Sequence, residues 1–405
     1  MHTDNLNSIL PDGGGNLPFL SGMKHQKERL KGQFGDLFEP AGPWVHALQR
    51  EIHEQPVVLA HLLDRAAMAE NFLPFHLGFN GEAALGATRS VTIVASGSSY
   101  HAGLIARYWI ESLSGLPCAV ELASEYRYRD AAVTPDTLVV ALSPSGENAD
   151  TLAALQYAES LGQRNSLGIC NVPGSSLMQA ARLHFLTGAG TENGLVSTKT
   201  FTAQLVALYL LGAWLGKAAG RITAAGEVSL LQDLRRLLPM IGKVLRRDSQ
   251  IRAWAKRLAK AERVLLLGRG AHTAVALEGA LKLKTLGHLH AEAYAAGEFR
   301  QGSLALLTPG TPVIAIAPRD ALYEKLRVDL QEVRALGGDL YVLADRYARI
   351  PEDDHLRLIR MPDHVGMLSP VLHAVPLQML AYHVALERGL PVDRPRQAFA
   401  VGTCE

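Results

Sequence analysis

The sequence predicts an α/β protein of two similar lobes, each a parallel sheet flanked by helices. Three observations carry this reading. Short β-branched apolar runs such as SVTIVA and TLVVAL each break into a turn of small or polar residues and then into a helical stretch. The order strand, helix, strand, helix, strand occurs once in each half of the chain, as a duplication would produce. The chain has 405 residues, 48% hydrophobic and 20% charged, an ordinary globular composition with room for two or three domains.

Residues 1–42 are punctuated by Gly, Asn and Pro and then rich in Lys (MKHQKERLKGQ), which reads as a flexible tail. Residues 43–89 form a helical lead-in. Val45, Leu48, Ile52, Val58, Leu62 and Leu63 recur at near-helical spacing, with a break expected at Pro56. The first lobe spans 90–218. Its first strand, 90–95, ends in Ser96-Gly97-Ser98-Ser99 and leads to a helix with Leu104, Ile105, Tyr108, Trp109 and Leu113 on one face. A second strand, 137–142, ends in Ser143-Pro144-Ser145-Gly146-Glu147-Asn148 before a helical run at 151–161, and 166–171 is the third. A helical connector, 219–262, leads to the second lobe, 263–388. There the strand at 263–267 runs into Gly268-Arg269-Gly270 and a helix through 277–286. The strand at 312–317 runs into Pro318-Arg319-Asp320 and a helix around 322–336, which Gly337-Gly338 ends before the strand at 339–344. After a helix at 377–387, residues 389–405 read as an extended tail.

Several function classes lose support. Lys plus Arg total 40 against 39 Asp plus Glu, so charge gives no argument for nucleic acid or an acidic membrane surface as partner. No apolar run is expected to reach the roughly 20 residues that span a bilayer. The start, MHTDNLNSILPDGGGNLPF, lacks the basic-then-apolar pattern of a signal peptide. Cys118, Cys170 and Cys404 are far apart and odd in number, which predicts a reducing, cytoplasmic setting with no disulfide framework. No cofactor and no metal are expected. His288 and His290 have no carboxylate or cysteine pattern beside them, and a structural hydrogen-bonding role is the reading for His290.

In doubly wound sheets, ligands bind beyond the carboxyl ends of the strands. Both first-lobe turns, SGSSY and SPSGENADT, lie there, and each opens a helix. Backbone N–H groups at a helix start together with Ser hydroxyls make an anion cradle, and phosphate is the economical guess. The equivalent second-lobe turns, GRGAHT and APRDAL, carry far fewer hydroxyls. One lobe is therefore expected to hold the anion and the other to provide scaffold. Taken singly, a Ser-rich turn is more often a helix cap or a loop; two in one unit favour binding.

Several segments carry a resemblance: SGSSYHAGLIARYWIESLSGLPCAVELASEYRYR, SPSGENADT, ICNVPGSSL, TENGLVSTKTFTAQL, LEGALKLK, HAEAYAAGE and VPLQMLAYHVALERG. The sequence resembles the isomerase half of glucosamine-6-phosphate synthase, a tandem pair of sugar isomerase (SIS) domains, from about Glu51 in EIHEQP to about Arg396. The resemblance implies two flavodoxin-like lobes, a homodimer, and a site for fructose 6-phosphate or glucosamine 6-phosphate. It assigns Ser98, Ser99, Ser143, Ser145, Asn148, Leu195 and Ser197 to the sugar-phosphate pocket, and Lys199 also matches. Ser98 and Asn148 stand where the family usually has Thr, and Pro144 where it usually has Gln. Asn148 retains an amide donor for phosphate, whereas Pro144 has neither a side-chain nor a backbone donor.

The departures are larger where chemistry is done. Ketose–aldose isomerisation needs a base to move a proton between C1 and C2 and a stabiliser for the enediol-like intermediate. The family's carboxylate falls on Thr285, its ring-opening histidine on Gln301, and its near-terminal lysine on Ala400. Lys282 remains as the electrophile, and Glu292 or Glu298 is the substitute base if its side chain enters the pocket; the equal alternative is that both cap or salt-bridge at a domain or subunit contact. Glu278 and Lys282 read as an ordinary i,i+4 pair. The family's glutaminase half opens with a cysteine nucleophile. Position 2 here is His2, and about 50 residues precede the matched region, too few for such a domain, so no glutamine hydrolysis is expected. A partner could supply ammonia in trans, although no sequence feature points to one. The resemblance thus implies a divergent amino-sugar-phosphate isomerase, deaminase or ammonia-dependent aminating enzyme. The alternative is a catalytically silent sugar-phosphate sensor that regulates or partners an active paralogue. A deglycase acting on a sugar–amine conjugate, with Leu195 and Pro144 shaping the pocket, is a weaker rival.

Overall fold

The computed structural model describes residues 44–67, 77, 81–348, 350, 353–362 and 365–393. The tail expected at 1–42, Ala400 and most of the carboxyl-terminal tail lie outside them. The lead-in holds α1 (Ala47–Ala66) and α2 (Gly81–Ala87). The first lobe comprises β1 (Ser90–Ala95), α3 (Gly97–Ser114), β2 (Cys118–Leu122), α4 (Ala123–Tyr126), β3 (Thr137–Leu142), α5 (Ala149–Ser160), β4 (Asn165–Cys170), α6 (Ser176–Ala180), β5 (Leu183–Leu186) and α7 (Lys199–Ala218). Helices α8 (Ala224–Leu245) and α9 (Asp248–Leu258) connect to the second. It comprises β6 (Arg263–Gly268), α10 (Ala271–Gly287), β7 (His290–Ala295), β8 (Pro312–Ala317), α11 (Tyr323–Ala335), β9 (Asp339–Asp345), β10 (Leu356–Met361) and α12 (Ser369–Glu387).

Both sheets are parallel throughout and share one topology. The first runs β2-β1-β3-β4-β5 and the second β7-β6-β8-β9-β10. This is the doubly wound order in which the chain reverses direction beside the first strand, opening a crevice at the carboxyl ends. The inner strands are apolar on both faces because helices cover both. Their residues divide by pleat. Val91, Ile93, Leu138 and Val140 of the first sheet and Val264, Leu266, Ile314 and Ile316 of the second enter one central core. Val94, Val139 and Ala141 enter an outer cluster under the first lobe, and Leu265, Leu267, Val313 and Ala315 one under the second. The central core therefore joins the lobes. Helix α3 packs on α7 and on α10, and Trp109 donates its indole N–H to the Met367 carbonyl at 2.7 Å.

Two expectations are corrected. First, α1 runs unbroken through Pro56. Proline removes the N–H that would meet the carbonyl four residues back, on Ile52. The Gln55 side-chain amide replaces it, donating to the Ile52 carbonyl at 2.7 Å and to Gln378 Oε1 at 2.9 Å. Second, α7 has the length and hydropathy of a membrane span, contrary to the expectation that no run reaches this, and 89% of its apolar window is buried within the fold. It is the helix on which α1, α3 and β4 pack.

Gln55→Leu removes the substitute donor while keeping the volume. It leaves a buried carbonyl unsatisfied at about 1–3 kcal/mol. Urea unfolding is expected to show a loss of that size, and an unchanged midpoint would show that Gln55 does not sustain α1 past the proline.

Candidate active site

The turn after β1 places Ser98 and Ser99 in the first turn of α3, entered through Gly97 at φ +56°. Ser99 is buried and donates to Gln204 Oε1 on α7 at 3.1 Å. After β3 the chain forms a tight loop. The Gly146 N–H meets Ser143 Oγ at 3.1 Å and the Glu147 N–H meets Ser145 Oγ at 3.2 Å. Gly146 is obligatory there: its φ is +72°, and a Cβ would lie 2.2 Å from Ser175 Oγ. The Leu177 N–H to the Gly146 carbonyl and the Asn171 N–H to the Pro144 carbonyl, each 3.0 Å, fix the loop to β4 and α6. Glu147 accepts from the Ser176 hydroxyl at 2.7 Å and its N–H at 2.9 Å, and these bonds lower its pKa. Asn148 is the N-cap of α5. Its Oδ1 accepts from the Thr151 N–H and hydroxyl, both at 2.9 Å, so its amide nitrogen is the group left to donate.

The segment before α7 is gripped by the lead-in helix. Glu51, fully buried, accepts from the N–H groups of Asn193 at 2.5 Å and Gly194 at 3.0 Å. Burial raises its pKa despite these bonds. Lys199 is buried and pairs with Glu54 at 2.7 Å, while Gln378 donates to the Thr198 carbonyl at 3.3 Å. Glu192 caps α7 from its own loop, accepting from the Thr198 N–H at 2.7 Å and from the Thr200 hydroxyl. Ser197 bonds Thr200 at 2.5 Å, and Leu195, half-buried, donates its N–H to the Val392 carbonyl at 3.1 Å.

The lobes meet at a charged cluster. Lys282 of α10 is almost completely buried. Its Nζ lies 3.0 Å from Ser98 Oγ, 2.5 Å from Glu278 Oε1, and 5.9 Å from the centre of the Phe201 ring. Glu278 Oε2 is 2.8 Å from His101 Nδ1. Ser98 and His101 are three apart on α3 and therefore share the face turned to α10. Burial alone would raise the Glu278 pKa, but Lys282 and His101 hold it down to about 2.

The structure thus brings Ser98 to Lys282, with Ser99 tied to α7 beside them. It places the two candidate bases elsewhere. Glu292 accepts from the Tyr294 hydroxyl and lies 3.6 Å from His290 Nε2. It shares the pleat of Tyr294, which packs on the outer second-lobe cluster, whereas Ala291 and Ala293 face the central core. Glu298 is exposed in the turn after β7, as is Gln301, whose N–H donates to the Glu298 carbonyl at 2.9 Å. Thr285, half-buried, lies one turn beyond Lys282 on α10. Within this chain neither glutamate joins Lys282. The groups that do are His101 and Glu278. His101 escaped the sequence reading altogether, and the i,i+4 pair Glu278–Lys282 is buried at the inter-lobe contact rather than solvated. The i,i+3 spacing puts His101 on the Ser98 face of α3, but nothing in the sequence pairs that face with α10.

The Glu278 pKa lies at about 2 in the fold against an ordinary 4.5, so its ionised form stabilises the fold. That contribution, about 3 kcal/mol, is complete above pH 4.5 and disappears as pH falls towards 2. Glu278→Gln also leaves Lys282 buried without its counter-charge, a loss of about 3–5 kcal/mol at neutral pH. The stability gap between wild type and Glu278→Gln is expected to narrow through that acid window. A gap independent of pH would show that Glu278 is not ionised in the fold.

The SIS domain family matches residues 85–213 and 257–388. Glutamine–fructose-6-phosphate aminotransferase (isomerizing) of Xanthomonas campestris pv. campestris is 50% identical over 355 residues, 88% of this chain and 58% of that protein. The Neisseria meningitidis enzyme of the same name is 45% identical over 388 residues, 96% of this chain and 63% of that protein. The chain therefore spans about three-fifths of these relatives' length. Among solved structures, the C-terminal domain of glucosamine-fructose-6-phosphate aminotransferase from Francisella tularensis superposes with a TM-score of 0.84 at 36% identity, covering 87% of this chain and 99% of that one. A putative phosphosugar isomerase from Silicibacter pomeroyi gives 0.71 at 26% identity, covering 85% and 99%. With two matched regions on two sheets of one topology, the chain belongs to the SIS domain family.

Proposed function

We propose that the chain is a sugar-phosphate enzyme that binds a phosphorylated hexose or amino sugar in the first-lobe crevice and acts on its C1–C2 end. The relatives, named for fructose 6-phosphate amination and phosphosugar isomerisation, support the substrate class. Amino-sugar-phosphate isomerisation, deamination or ammonia-dependent amination is the reaction class, and the homodimer implied by the family belongs to the same reading. One observation carries it most: the Lys282 ammonium, buried between the lobes, sits 3.0 Å from the Ser98 hydroxyl at the mouth of the crevice. The Ser143–Asn148 loop offers donors for the phosphate, and Lys282 offers positive charge where an enediol-like oxygen would develop. Holding a lysine there costs desolvation, which its pairing with Glu278 offsets.

The silent-sensor reading draws on Thr285 and on the placement of Glu292 and Glu298. Purified chain incubated with fructose 6-phosphate, with and without ammonia, and with glucosamine 6-phosphate separates the two. Aldose–ketose interconversion or amine transfer that falls at least about 100-fold in Lys282→Ala is the expected result. A thermal shift with these esters and no turnover would establish the sensor. Neither response would overturn both readings.

A further inference from the structure

The reaction class proposed above needs a group that moves protons, and the expected glutamates do not stand with Lys282. Glu278 does, but a carboxylate held at about pKa 2 is too weak a base near neutral pH. It is also occupied, by Lys282 on one oxygen and His101 on the other. The histidine is the remaining titratable side chain in this contact. Its Nδ1 lies 2.8 Å from Glu278 Oε2, and an ionised carboxylate accepts, so the Nδ1 proton is fixed there. In its neutral form the ring then presents Nε2 as a lone pair. Nε2 makes no hydrogen bond among the described residues, and the side chain keeps 14% of its surface exposed. A carboxylate that fixes the tautomer of a partly exposed histidine is the arrangement by which a general base is oriented. Here the carboxylate comes from α10 of the second lobe and the imidazole from α3 of the first. The Tyr100 ring, 6.1 Å away, is the neighbouring aromatic.

From this geometry we infer that His101 is the proton carrier of the site, with Glu278 as the residue that positions it and joins it to Lys282. The inference rests on the sugar-phosphate reading. With fructose 6-phosphate, Nε2 takes a proton from C1. The C–H electron pair becomes the C1=C2 bond, and the C2 carbonyl pair moves onto O2, where Lys282 supplies positive charge. O2 then gains a proton and O1 loses one as C1=O1 forms, and the imidazolium returns its proton to C2. The aldose phosphate results, and His101 is again neutral. Nothing is oxidised or reduced overall, and no co-reactant is consumed.

The test follows deuterium entering C1 of fructose 6-phosphate in D2O, with binding measured separately by calorimetry. His101→Gln keeps a donor for Glu278 but has no basic nitrogen. It is expected to bind the ester like wild type and to exchange about 10²–10⁴-fold more slowly. Glu278→Gln is expected to let the Nε2–H tautomer of His101 appear in its imidazole ¹⁵N spectrum, a readout that a purely structural role of Glu278 would not move. In wild type, imidazole ¹⁵N spectra are expected to show the Nδ1–H tautomer for His101, a measurement that requires no variant to fold. His101→Gln exchange within tenfold of wild type, or an Nε2–H tautomer in wild type, would overturn the inference. Wild type that binds the ester without exchange would also overturn it and leave binding standing. Wild type that does not bind would overturn the sugar-phosphate reading itself.

Discussion

The site depends on one buried contact, in which Glu278 and Lys282 of α10 lie against Ser98 and His101 of α3. Two charges taken out of water cost several kcal/mol each unless their partners are well placed. Here each has two: Glu278 bonds His101 and is ion-paired with Lys282, and Lys282 also meets Ser98. That satisfaction requires the lobes to keep one relative position, because the partners come from different sheets. The apolar core that spans both lobes supplies the adhesion, and the Trp109 bond to the Met367 carbonyl adds a directed contact on the same helix. Hydrophobic burial is non-directional, so the polar cluster is what fixes the angle at which the crevice meets Lys282.

The duplicated topology has been put to two uses. At the carboxyl ends of the first sheet, the loops fold on Ser and Asn side chains and on backbone amides, leaving uncharged donors around a helix start. At the equivalent end of the second sheet, charges close on one another. Arg269 binds the buried Asp329 at 2.7 Å, and Arg300 lies 3.5 Å from the same carboxylate and also pairs with Glu332. The contrast between the SGSSY and GRGAHT turns reports this difference in the sequence itself. The lead-in helix belongs to the site as well, because Glu51 and Glu54 hold the 192–199 segment against α7.

What the sequence disclosed follows from the range of the forces involved. Inner strands such as Thr137–Leu142, buried at every position, read as continuous apolar runs, and β4 was displaced by only one residue. Turn chemistry is also local, so the Ser143–Asn148 loop was recognisable. The edge strands were not. Cys118–Leu122 has one buried position, Leu183–Leu186 has four residues, and His290–Ala295 alternates polar with small side chains. Pro56 was read as a break because the rescue comes from a side-chain amide that no periodicity records. The contact between His101 and Glu278 spans 177 residues, so spacing along the chain could not reveal it. Glu292 and Glu298 lie in the HAEAYAAGE segment, and sequence alone does not say which way either side chain points. The pleat turns one away from the central core, and the turn after β7 leaves the other exposed.

The central claim is that the first-lobe crevice and the buried lysine form one site. A crystal structure of the chain with fructose 6-phosphate tests it most directly. The expected result is a phosphate held by the Ser143–Asn148 loop and the start of α3, with the C1–C2 end of the sugar at Lys282. A phosphate bound elsewhere, or a sugar whose reacting end lies away from an undisturbed Lys282–Ser98 contact, would contradict it.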